Sequence, residues 1–430
     1  MRKFIALLIY RLALPCLFVA AFPAWLVKML RRGGLDTPLG ERVAIYGKSA
    51  DMETCGAIHI HAISVGETII ALKLIREWLS ANPNQQFILA TGTATGHAVA
   101  REAAIEQIRV AYSPLDFSPM VKRYLNRFEP AQIVLIEGEL WPHLLLECHS
   151  RSIPVSLANA RMSPRSARRY SRFANWLRPF VSCLNAVTIQ DAEDESIWRE
   201  LGIKPNAIHL TGSIKFDPGS GAAPTRRPAF QNMIDAFGHG RPVVLAASTH
   251  AGEDAWIATA IREANPKALP AIAPRHAERR HAATKDLQAA GFKVSTRSQF
   301  DLETIRAGSS SAFLIDSTGE LRDWTAHADV IIIGKSFLSE GGQNPAEAIL
   351  ASRPVIFGAH MENFEPLAGR LITAGACIRA VDHAQLVDAI RQALDPLKAQ
   401  SLTANASKVL AAHMGATRRV LAVLNASSRP

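Results

Sequence analysis

The chain has 430 residues, more than one hydrophobic core usually serves, so we expect two domains. Hydrophobic residues make up 48% and charged residues 20%, a composition that excludes a disordered chain. Basic residues outnumber acidic ones by 48 to 38, and the net charge of +10 indicates a polyanionic partner: nucleic acid, an anionic membrane surface or a phosphorylated substrate. The five cysteines form no CxxC pair, so neither a zinc site nor a disulfide framework is indicated, and a reduced cytoplasmic setting fits.

The N-terminus is a long apolar segment. Apolar residues fill positions 4–10 and 12–27, interrupted by Arg11 and flanked by basic residues. This length suits one membrane span if the Arg11 side chain reaches the interface. A cleaved signal peptide is the alternative, but basic residues rather than small ones follow the apolar core. We therefore predict an uncleaved membrane anchor at 1–32, with the following chain on the cytoplasmic face.

From about residue 57 onward, short apolar runs alternate with longer amphipathic ones, which predicts an α/β fold with parallel sheets covered on both faces. Residues 217–228 are rich in Gly and Pro without apolar periodicity and indicate a linker, after which the alternation restarts. We predict Rossmann-like domains at 33–216 and 229–400, and a helical tail at 401–430 that packs back on the first. Strands are expected at 57–64, 86–91, 109–112, 132–137, 153–157, 186–190 and 207–211, and then at 242–247, 269–273, 293–295, 312–315, 329–333, 354–358 and 376–380.

Ligands of parallel α/β sheets bind at the carboxyl ends of the strands, so charged residues that follow strands are site candidates. Glu67 stands at a predicted helix start, where it is either a capping residue or a general base. Glu137 and Glu139 follow a buried strand, where carboxylates are costly unless they face solvent, a ligand or a cation. Lys215 follows the last strand before the linker.

A cluster of arginines follows the fifth predicted strand. Seven arginines and no acid occupy residues 151–178, among them Arg161, Arg165, Arg168 and Arg169. Arginine binds phosphates through two parallel hydrogen bonds, so the cluster predicts an anion-binding face. The alternative is a solvated helix face, which is what charge runs usually form.

The second half contains a candidate nucleotide site at 340–347. Gly341 and Gly342 follow an apolar run and allow a close backbone approach, and Pro345 suits the first turn of a helix. Free amides at such a helix start attract a phosphate, and Glu347 is placed to accept hydrogen bonds from ribose hydroxyls. The alternative is an ordinary strand-to-helix turn with a surface Glu. Arg275, which also follows a predicted strand, is placed to neutralise a phosphate.

Taken in order, these motifs resemble those of the 3-deoxy-D-manno-octulosonic acid (Kdo) transferases of lipopolysaccharide biosynthesis. The matching blocks run from about residue 59 to 364 and are HAISVGET, EGELWP, LANARMSPRSARRY, TGSIKFD, AASTHAGE, APRHAER, DSTGEL, GGQNPAE and GAHMENF. Each block alone is a weak signal, whereas nine in register are specific. The chain departs from the family pattern at Gly138 (usually Thr), Ala277 (Pro), Lys335 (Gly) and Ala346 (a larger apolar residue).

The resemblance implies a GT-B fold, in which two Rossmann-like domains face one cleft, with the acceptor in the first domain and the donor in the second. It implies an inverting, metal-independent transfer of Kdo from CMP-Kdo to a lipid A precursor, lipid IVA, without a cofactor. Glu67 would be the general base, and Glu137 and Lys215 would stabilise the transition state. CMP would be held by Pro274, Arg275, Thr318, Gly319, Glu320, Asn344, Pro345, Ala346 and Glu347.

The same resemblance implies that Arg161, Arg165, Arg168 and Arg169, with the N-terminal anchor, seat the acceptor at the cytoplasmic side of the inner membrane, with no nucleic acid as partner. Two alternatives fit the same composition and fold. One is a GT-B enzyme that uses a UDP-sugar, and the other is a non-catalytic basic scaffold that binds anionic lipid.

Overall fold

The structure is a computed structural model, and it describes residues 2–31, 39–46, 56–162, 164–217, 224–300 and 311–428. The chain divides into two units, Met1–Asp217 with Gly415–Pro430, and Pro218–Met414. Within the described residues, each unit contains one parallel sheet of seven strands with helices packed on it. The predicted α/β class with two Rossmann-like sheets is confirmed.

The sheet of the first unit has the strand order β3-β2-β1-β4-β5-β6-β7, and every pairing is parallel. Its central strands are buried along their whole length because helices cover both faces, which explains their continuous apolar runs. The strands are β1 (Ile58–Ala62), β2 (Phe87–Thr91), β3 (Ile108–Tyr112), β4 (Gln132–Ile136), β5 (Val155–Ala160), β6 (Ala186–Ile189) and β7 (Ile208–Leu210). Its helices are α1 (Arg2–Arg31), α2 (Leu39–Arg42), α3 (Val65–Ala81), α4 (Ala94–Glu102), α5 (Ser118–Phe128), α6 (Pro142–Ser150), α7 (Pro164–Arg172), α8 (Ala174–Val181), α9 (Glu195–Glu200) and, from the C-terminus, α18 (Ala416–Ser427).

The sheet of the second unit has the order β10-β11-β9-β8-β12-β13-β14, again with parallel pairings. Its strands are β8 (Val243–Thr249), β9 (Leu269–Pro274), β10 (Lys293–Thr296), β11 (Ser311–Leu314), β12 (Val330–Ile333), β13 (Val355–Phe357) and β14 (Ile378–Arg379). Its helices are α10 (Pro228–Asp235), α11 (Glu253–Ala264), α12 (Arg280–Ala289), α13 (Leu321–Thr325), α14 (Ala346–Leu350), α15 (Leu367–Thr373), α16 (His383–Leu394) and α17 (Pro396–Ala411). Each of the fourteen predicted strands overlaps one of the observed strands.

The domain boundaries differ from those expected at the C-terminus. Helix α17 packs against α14, α15 and α16 of the second unit, so the return to the first unit begins at Gly415 and not at residue 401. Asp395 caps α17 by accepting from Lys398 N at 2.9 Å, and Pro396 suits its first turn. The expected linker at 217–228 falls partly on 218–223, outside the described residues, and α10 begins at Pro228.

Helix α1 runs without interruption through Pro15 and Pro23. Among the described residues, one helix is long and apolar enough to cross a membrane, and it is the stretch Phe4–Ala24. Its N-terminal half packs on the first unit: Ala6 is buried, and the Tyr10 hydroxyl donates to Asp116 Oδ2 at 2.8 Å. The α1 helix therefore has one face fixed to the unit and apolar side chains on the other.

Candidate active site

In the first unit, the strand order reverses between β1 and β4, which opens a crevice at the carboxyl ends of these strands. Glu67 lies on the helix that follows β1, Glu137 follows β4 directly, and Arg161 follows β5, which pairs with β4. Three predicted site residues are therefore carried by adjacent strands at one edge of the sheet.

Glu67 and the N-cap residue Ser64 cap the start of α3 in an arrangement that resembles a capping box, but with Ile63 rather than Ser64 as the backbone donor to the Glu67 carboxylate. The backbone N–H of Glu67 donates to Ser64 Oγ at 3.3 Å, and Ser64 Oγ donates to Glu67 Oε1 at 2.9 Å. The backbone N–H of Ile63 donates to Glu67 Oε2 at 2.7 Å. These contacts establish the capping role that the sequence left open. They also hold the carboxylate in one place, while its role as a base stays a prediction.

Glu137 has a φ of 60°, in the left-handed region that residues other than glycine rarely adopt. Two backbone hydrogen bonds hold it there: its N–H donates to Ala158 O at 2.9 Å, and its carbonyl accepts from Arg161 N at 3.4 Å. Burial raises the pKa of the Glu137 carboxyl and nearby Glu67 adds to the rise, whereas Lys215 and Arg161 oppose it. The Glu137 carboxyl therefore lies close to the Glu67 carboxyl and to two cations.

Glu139 is a third carboxyl at the same edge of the sheet. Burial, together with the charges of Glu67 and Glu137, raises its pKa to about 7 against an opposing contribution from Trp141. This group therefore changes from mostly protonated to mostly ionised around neutral pH. The sequence places Glu139 beside the site but gives it no specific role.

Lys215 lies on the loop after β7, and this loop is tied to the interior of the first unit. The buried Asn159 accepts from Ile214 N through Oδ1 at 2.8 Å, and Lys73 Nζ donates to Ile214 O at 2.8 Å and also to Asp217 O. Lys215 thus follows a residue that is held on both its N–H and its carbonyl.

The electrostatic environment of Lys215 links it to the carboxylates. Burial lowers the pKa of its ammonium group, nearby Glu137 opposes that change and Arg161 adds to it. Lys215, Glu137 and Arg161 therefore form one interacting group, although two strands separate β7 from β4 in the sheet.

The C-terminal helix α18 supports the same loop. The buried Asp217 carboxylate accepts from Gly415 N at 3.0 Å, from Thr417 N at 2.8 Å and from the Thr417 hydroxyl at 2.5 Å. Arg419 donates twice to Thr211 O, at 2.9 and 2.7 Å. Asp217 thereby caps α18 and joins it to the segment that carries Lys215.

The predicted acceptor-binding arginines lie along helix α7 and just before it. Arg165, Arg168 and Arg169 are exposed, whereas Arg161 is half-buried beside the carboxylates. No ion pair joins the three exposed arginines to any residue that the structure describes. Arg169 instead lies over the ring of Tyr170, 5.8 Å from its centroid. These three guanidinium groups remain accessible to an anion.

In the second unit, the strand order reverses between β8 and β12. The fully buried Glu253, at the start of α11, joins the loops that follow these two strands. Its carboxylate accepts from His250 N at 2.9 Å, from Lys335 N at 2.7 Å and from Phe337 N at 3.2 Å. The loop after β12, which leads to the predicted nucleotide site, is therefore fixed from within.

The glycine turn of this loop leaves no room for side chains. Gly341 and Gly342 have φ of 116° and 67°, and a Cβ on Gly342 would lie 2.5 Å from Met361 Sδ. Asn344 Oδ1 then accepts from Ala346 N at 3.0 Å at the start of α14. The predicted strand, glycine turn and helix start are present, although α14 extends over only five residues.

Glu347, Arg275 and Arg322 form one electrostatic group at this edge. Solvent reaches the Glu347 side chain, yet the surrounding protein limits its hydration and so raises its pKa, and Arg322 and Arg275 oppose that rise. Arg275 follows β9 and is exposed, so its guanidinium is accessible to a ligand. Arg275 and Glu347 are thus electrostatic neighbours, their roles toward CMP stay a prediction, and Arg322 is an additional cation that the sequence pattern did not single out.

The loop after β11 carries the other predicted donor-binding residues. Gly319 has a φ of 82° and Thr318 is exposed. Glu320 accepts from Ser317 Oγ at 2.5 Å and pairs with Arg297 at 3.2 Å, so its carboxylate shapes the loop. Pro274, at the end of β9, lies on the neighbouring strand.

Lys335 occupies a strained backbone position. Its φ is 55°, and its carbonyl accepts from Gly342 N at 2.8 Å. Glycine adopts such a conformation without the steric cost that a Cβ brings, so a lysine at this position carries local backbone strain. The ammonium group of Lys335 lies near Gly341, since a Cβ on that glycine would be 3.4 Å from Nζ.

A family model described as 3-deoxy-D-manno-octulosonic-acid transferase (kdotransferase) matches residues 37–218. A 3-deoxy-D-manno-octulosonic acid transferase from Bordetella pertussis is 36% identical over 420 residues, which cover 93% of this chain and 94% of that protein. The chain belongs to the Kdo transferase family. The resemblance to this family that the nine sequence blocks indicated is confirmed. This Kdo transferase family member is a glycosyltransferase.

Solved structures are also similar to this Kdo transferase family member. The C-terminal CMP-Kdo binding domain of WaaA from Acinetobacter baumannii is 30% identical, covering 42% of this chain and 95% of that one, with a TM-score of 0.38. A UDP-GlcNAc 2-epimerase from Neisseria meningitidis is 13% identical, covering 86% of this chain and all of that one, with a TM-score of 0.54. The second likeness shows a shared fold.

The sequence patterns did not identify several residues that position the site. Lys73, Asn159 and Asp217 hold the Lys215 loop, and Glu253 holds the loop after β12. Their partners are 50 or more residues away along the chain, except for His250, so no local pattern signals them. Among the described residues, no group of three or more His, Cys, Asp or Glu is arranged to hold a metal ion.

Proposed function

We propose that this Kdo transferase family member transfers Kdo from CMP-Kdo to a phosphorylated lipid A precursor, lipid IVA, with inversion and without a metal ion or cofactor. The observation that carries the proposal is the fixed carboxylate of Glu67 at the reversal of the first sheet, with Glu137 as its electrostatic neighbour and Lys215 as a neighbour of Glu137. One fixed base on the acceptor side is what a single-displacement, inverting transfer requires.

On the acceptor side, Glu67 would take the proton of the attacking hydroxyl. Each of its oxygens already accepts one hydrogen bond. A carboxylate offers about four acceptor positions, so capacity remains for the acceptor hydroxyl. Glu137 would offset positive charge that develops on the sugar, and Lys215 would balance the charge of Glu137. The exposed arginines of α7 would bind the acceptor phosphates.

On the donor side, breaking the bond between Kdo and CMP places negative charge on the departing phosphate. The exposed Arg275 and the neighbouring Arg322 would meet that charge without a metal. Glu347 would accept hydrogen bonds from the ribose. The loops that contain Thr318–Glu320 and Asn344–Ala346 would complete the CMP site with backbone groups.

Calorimetric titration of the full chain with CMP and with UDP tests the donor assignment. We expect tighter binding of CMP. Arg275→Ala should weaken CMP binding by about 10- to 150-fold, since a hydrogen bond to a charged group contributes roughly 1.5–3 kcal/mol. Arg391→Ala, at an exposed ion pair, is the matched control and should bind CMP as the wild type does. Tighter binding of UDP would contradict the assignment.

The same preparation tests the reaction class. Turnover should persist in excess EDTA, and NMR of the product should show the Kdo anomeric configuration opposite to that in the donor. Retention of configuration, or loss of turnover that added Mg²⁺ restores, would overturn the inverting, metal-independent reaction.

A further inference from the structure

An apolar cavity of about 530 Å³ lies in the first unit between α1, α6, α7 and α8. Its volume is within the range of roughly 300–1,000 Å³ that is usual for small-molecule sites. Ala6 and Ala13 of α1, Leu145 of α6, and Leu177 and Phe180 of α8 are among its walls. Because its walls are mostly apolar, the cavity suits a hydrocarbon group rather than a sugar or a nucleotide.

The cavity is open at the surface of the first unit. Ile9 of α1 is 50% exposed, and Phe173 and Trp176, which line the cavity from the α8 side, are 49% and 44% exposed. Exposed apolar and aromatic side chains grouped in this way are typical of a binding surface for an apolar ligand or a lipid. The mouth of the cavity is therefore lined by side chains that suit an entering acyl chain.

Charge and proximity connect the cavity to the candidate site. Tyr170 lines the cavity and carries Arg169 over its ring, and the neighbouring exposed arginines of α7 are free of ion pairs with described residues. On another wall, Leu140 and Trp141 follow Glu139 directly along the chain. Phosphate-binding groups, a hydrocarbon cavity and the carboxylates thus occur together, which matches a lipid that bears both phosphate and acyl chains.

We propose that this cavity receives an acyl chain of the phosphorylated lipid acceptor and so sets the chain-length preference of the enzyme. The inference rests on the proposed function, because it assigns a part of that acceptor. Each buried methylene contributes roughly fourfold in affinity, so a few methylenes in the cavity decide which acceptor is used.

A pair of substitutions on α1 tests the inference. Ala13 lines the cavity, whereas Ala20 lies two turns further along the same face, is exposed and does not line it. Kdo transfer is measured for the wild type, Ala13→Trp and Ala20→Trp, with the acylated acceptor and with its deacylated, phosphorylated sugar. We expect Ala13→Trp to raise KM for the acylated acceptor by about tenfold or more, the equivalent of two or more methylenes excluded. Its KM for CMP-Kdo and for the deacylated acceptor, and all values for Ala20→Trp, should stay unchanged.

Equal KM values for Ala13→Trp and wild type, or equal losses with both acceptors, would overturn the inference. A wild-type chain that transfers Kdo to neither acceptor contradicts the proposed function instead. Photolabelling of the full chain then decides the inference alone, with the acceptor and phosphatidylglycerol each carrying a diazirine at the end of an acyl chain. Labels from the acceptor on the cavity residues of α1 and α8 support it. Labels confined to the exposed face of α1, or equal labelling by phosphatidylglycerol, overturn it.

Discussion

At the scale of single residues, Glu67 shows why a capping pattern and a catalytic pattern are hard to separate in a sequence. The spacing of Ser64 and Glu67 is the S-x-x-E pattern common at helix starts, and in the structure Ser64 caps the helix and hydrogen-bonds to Glu67. The same contacts fix the carboxylate at the carboxyl end of β1, where a base for the acceptor is needed. Capping requires only that the side chain accept hydrogen bonds, whereas a general base must also take up a proton. A substitution that keeps the first property and removes the second therefore distinguishes the two roles.

Glu67→Gln should mainly reduce activity, whereas Ser64→Ala should mainly reduce stability. Glu67→Gln keeps an oxygen acceptor but cannot take a proton, so we expect transfer to fall by about 10²- to 10⁴-fold with little change in thermal stability. Ser64→Ala removes the N-cap and should cost about 1 kcal/mol of stability, with a much smaller loss of transfer. Melting curves and initial rates of both purified variants provide the comparison. Comparable rates for Glu67→Gln and wild type would eliminate Glu67 as the base.

Glu139 predicts a pH dependence of stability. Its pKa rises from 4.5 to about 7 on folding, so the folded state binds more protons than the unfolded state between these values. Its contribution to stability is therefore complete below about pH 4.5 and is lost as the pH rises through about 7. Burial lowers the pKa values of His59 and His61, so their contribution to stability increases with pH and opposes that of Glu139. The effect of Glu139 is therefore measured as the difference between the wild type and a Glu139 variant.

We expect the melting temperature of Glu139→Gln, relative to wild type, to increase as the pH rises from 4.5 to 8. The glutamine stays neutral, whereas Glu139 must ionise in a partly buried place. Scanning calorimetry of both proteins across this range measures the difference. A constant difference between the two proteins would show that Glu139 does not titrate in this environment.

At the scale of elements, Asp217 joins the loop of Lys215 to α18, and its loss should affect both. Asp217→Ala leaves Gly415 N and the Thr417 groups without their acceptor, and unsatisfied buried donors typically cost about 1–3 kcal/mol. We expect a lower melting temperature and a lower kcat, because the Lys215 loop loses its attachment. Asp388→Ala, whose carboxylate forms an exposed i,i+3 pair with Arg391, is the control and should change neither. If the Asp217→Ala variant were destabilised but kept the wild-type kcat, the attachment of the Lys215 loop to α18 would not contribute to catalysis.

Some features of the fold can be predicted from short stretches of sequence, whereas others depend on residues far apart in the chain. Fourteen strands, the glycine turn at Gly341 and the helix start at Ala346 all follow from short-range patterns, because apolar runs and glycines act within a few residues. The place where the chain returns to the first unit depends on Asp217 and Gly415, which are 198 residues apart. The docking of α1 depends in the same way on Tyr10 and Asp116, 106 residues apart. Such pairings carry no local signal.

At the scale of the whole molecule, composition and fold narrow the function less than the site does. The net charge of +10 agrees with an anionic substrate but equally with a lipid scaffold. The fold is shared with an epimerase that is 13% identical, so the architecture alone does not separate the two activities. The family assignment rests on the 36% identity along nearly the whole chain, and the proposed donor and acceptor rest on charged groups at the strand ends.

The most direct test is mass spectrometry of the product that the purified full chain forms from CMP-Kdo and lipid IVA. The account predicts an acceptor whose mass has grown by one or more Kdo residues, with release of CMP, and no product from the Glu67→Gln variant in the same time. An unmodified acceptor with intact CMP-Kdo, under conditions where a known Kdo transferase works, would contradict it.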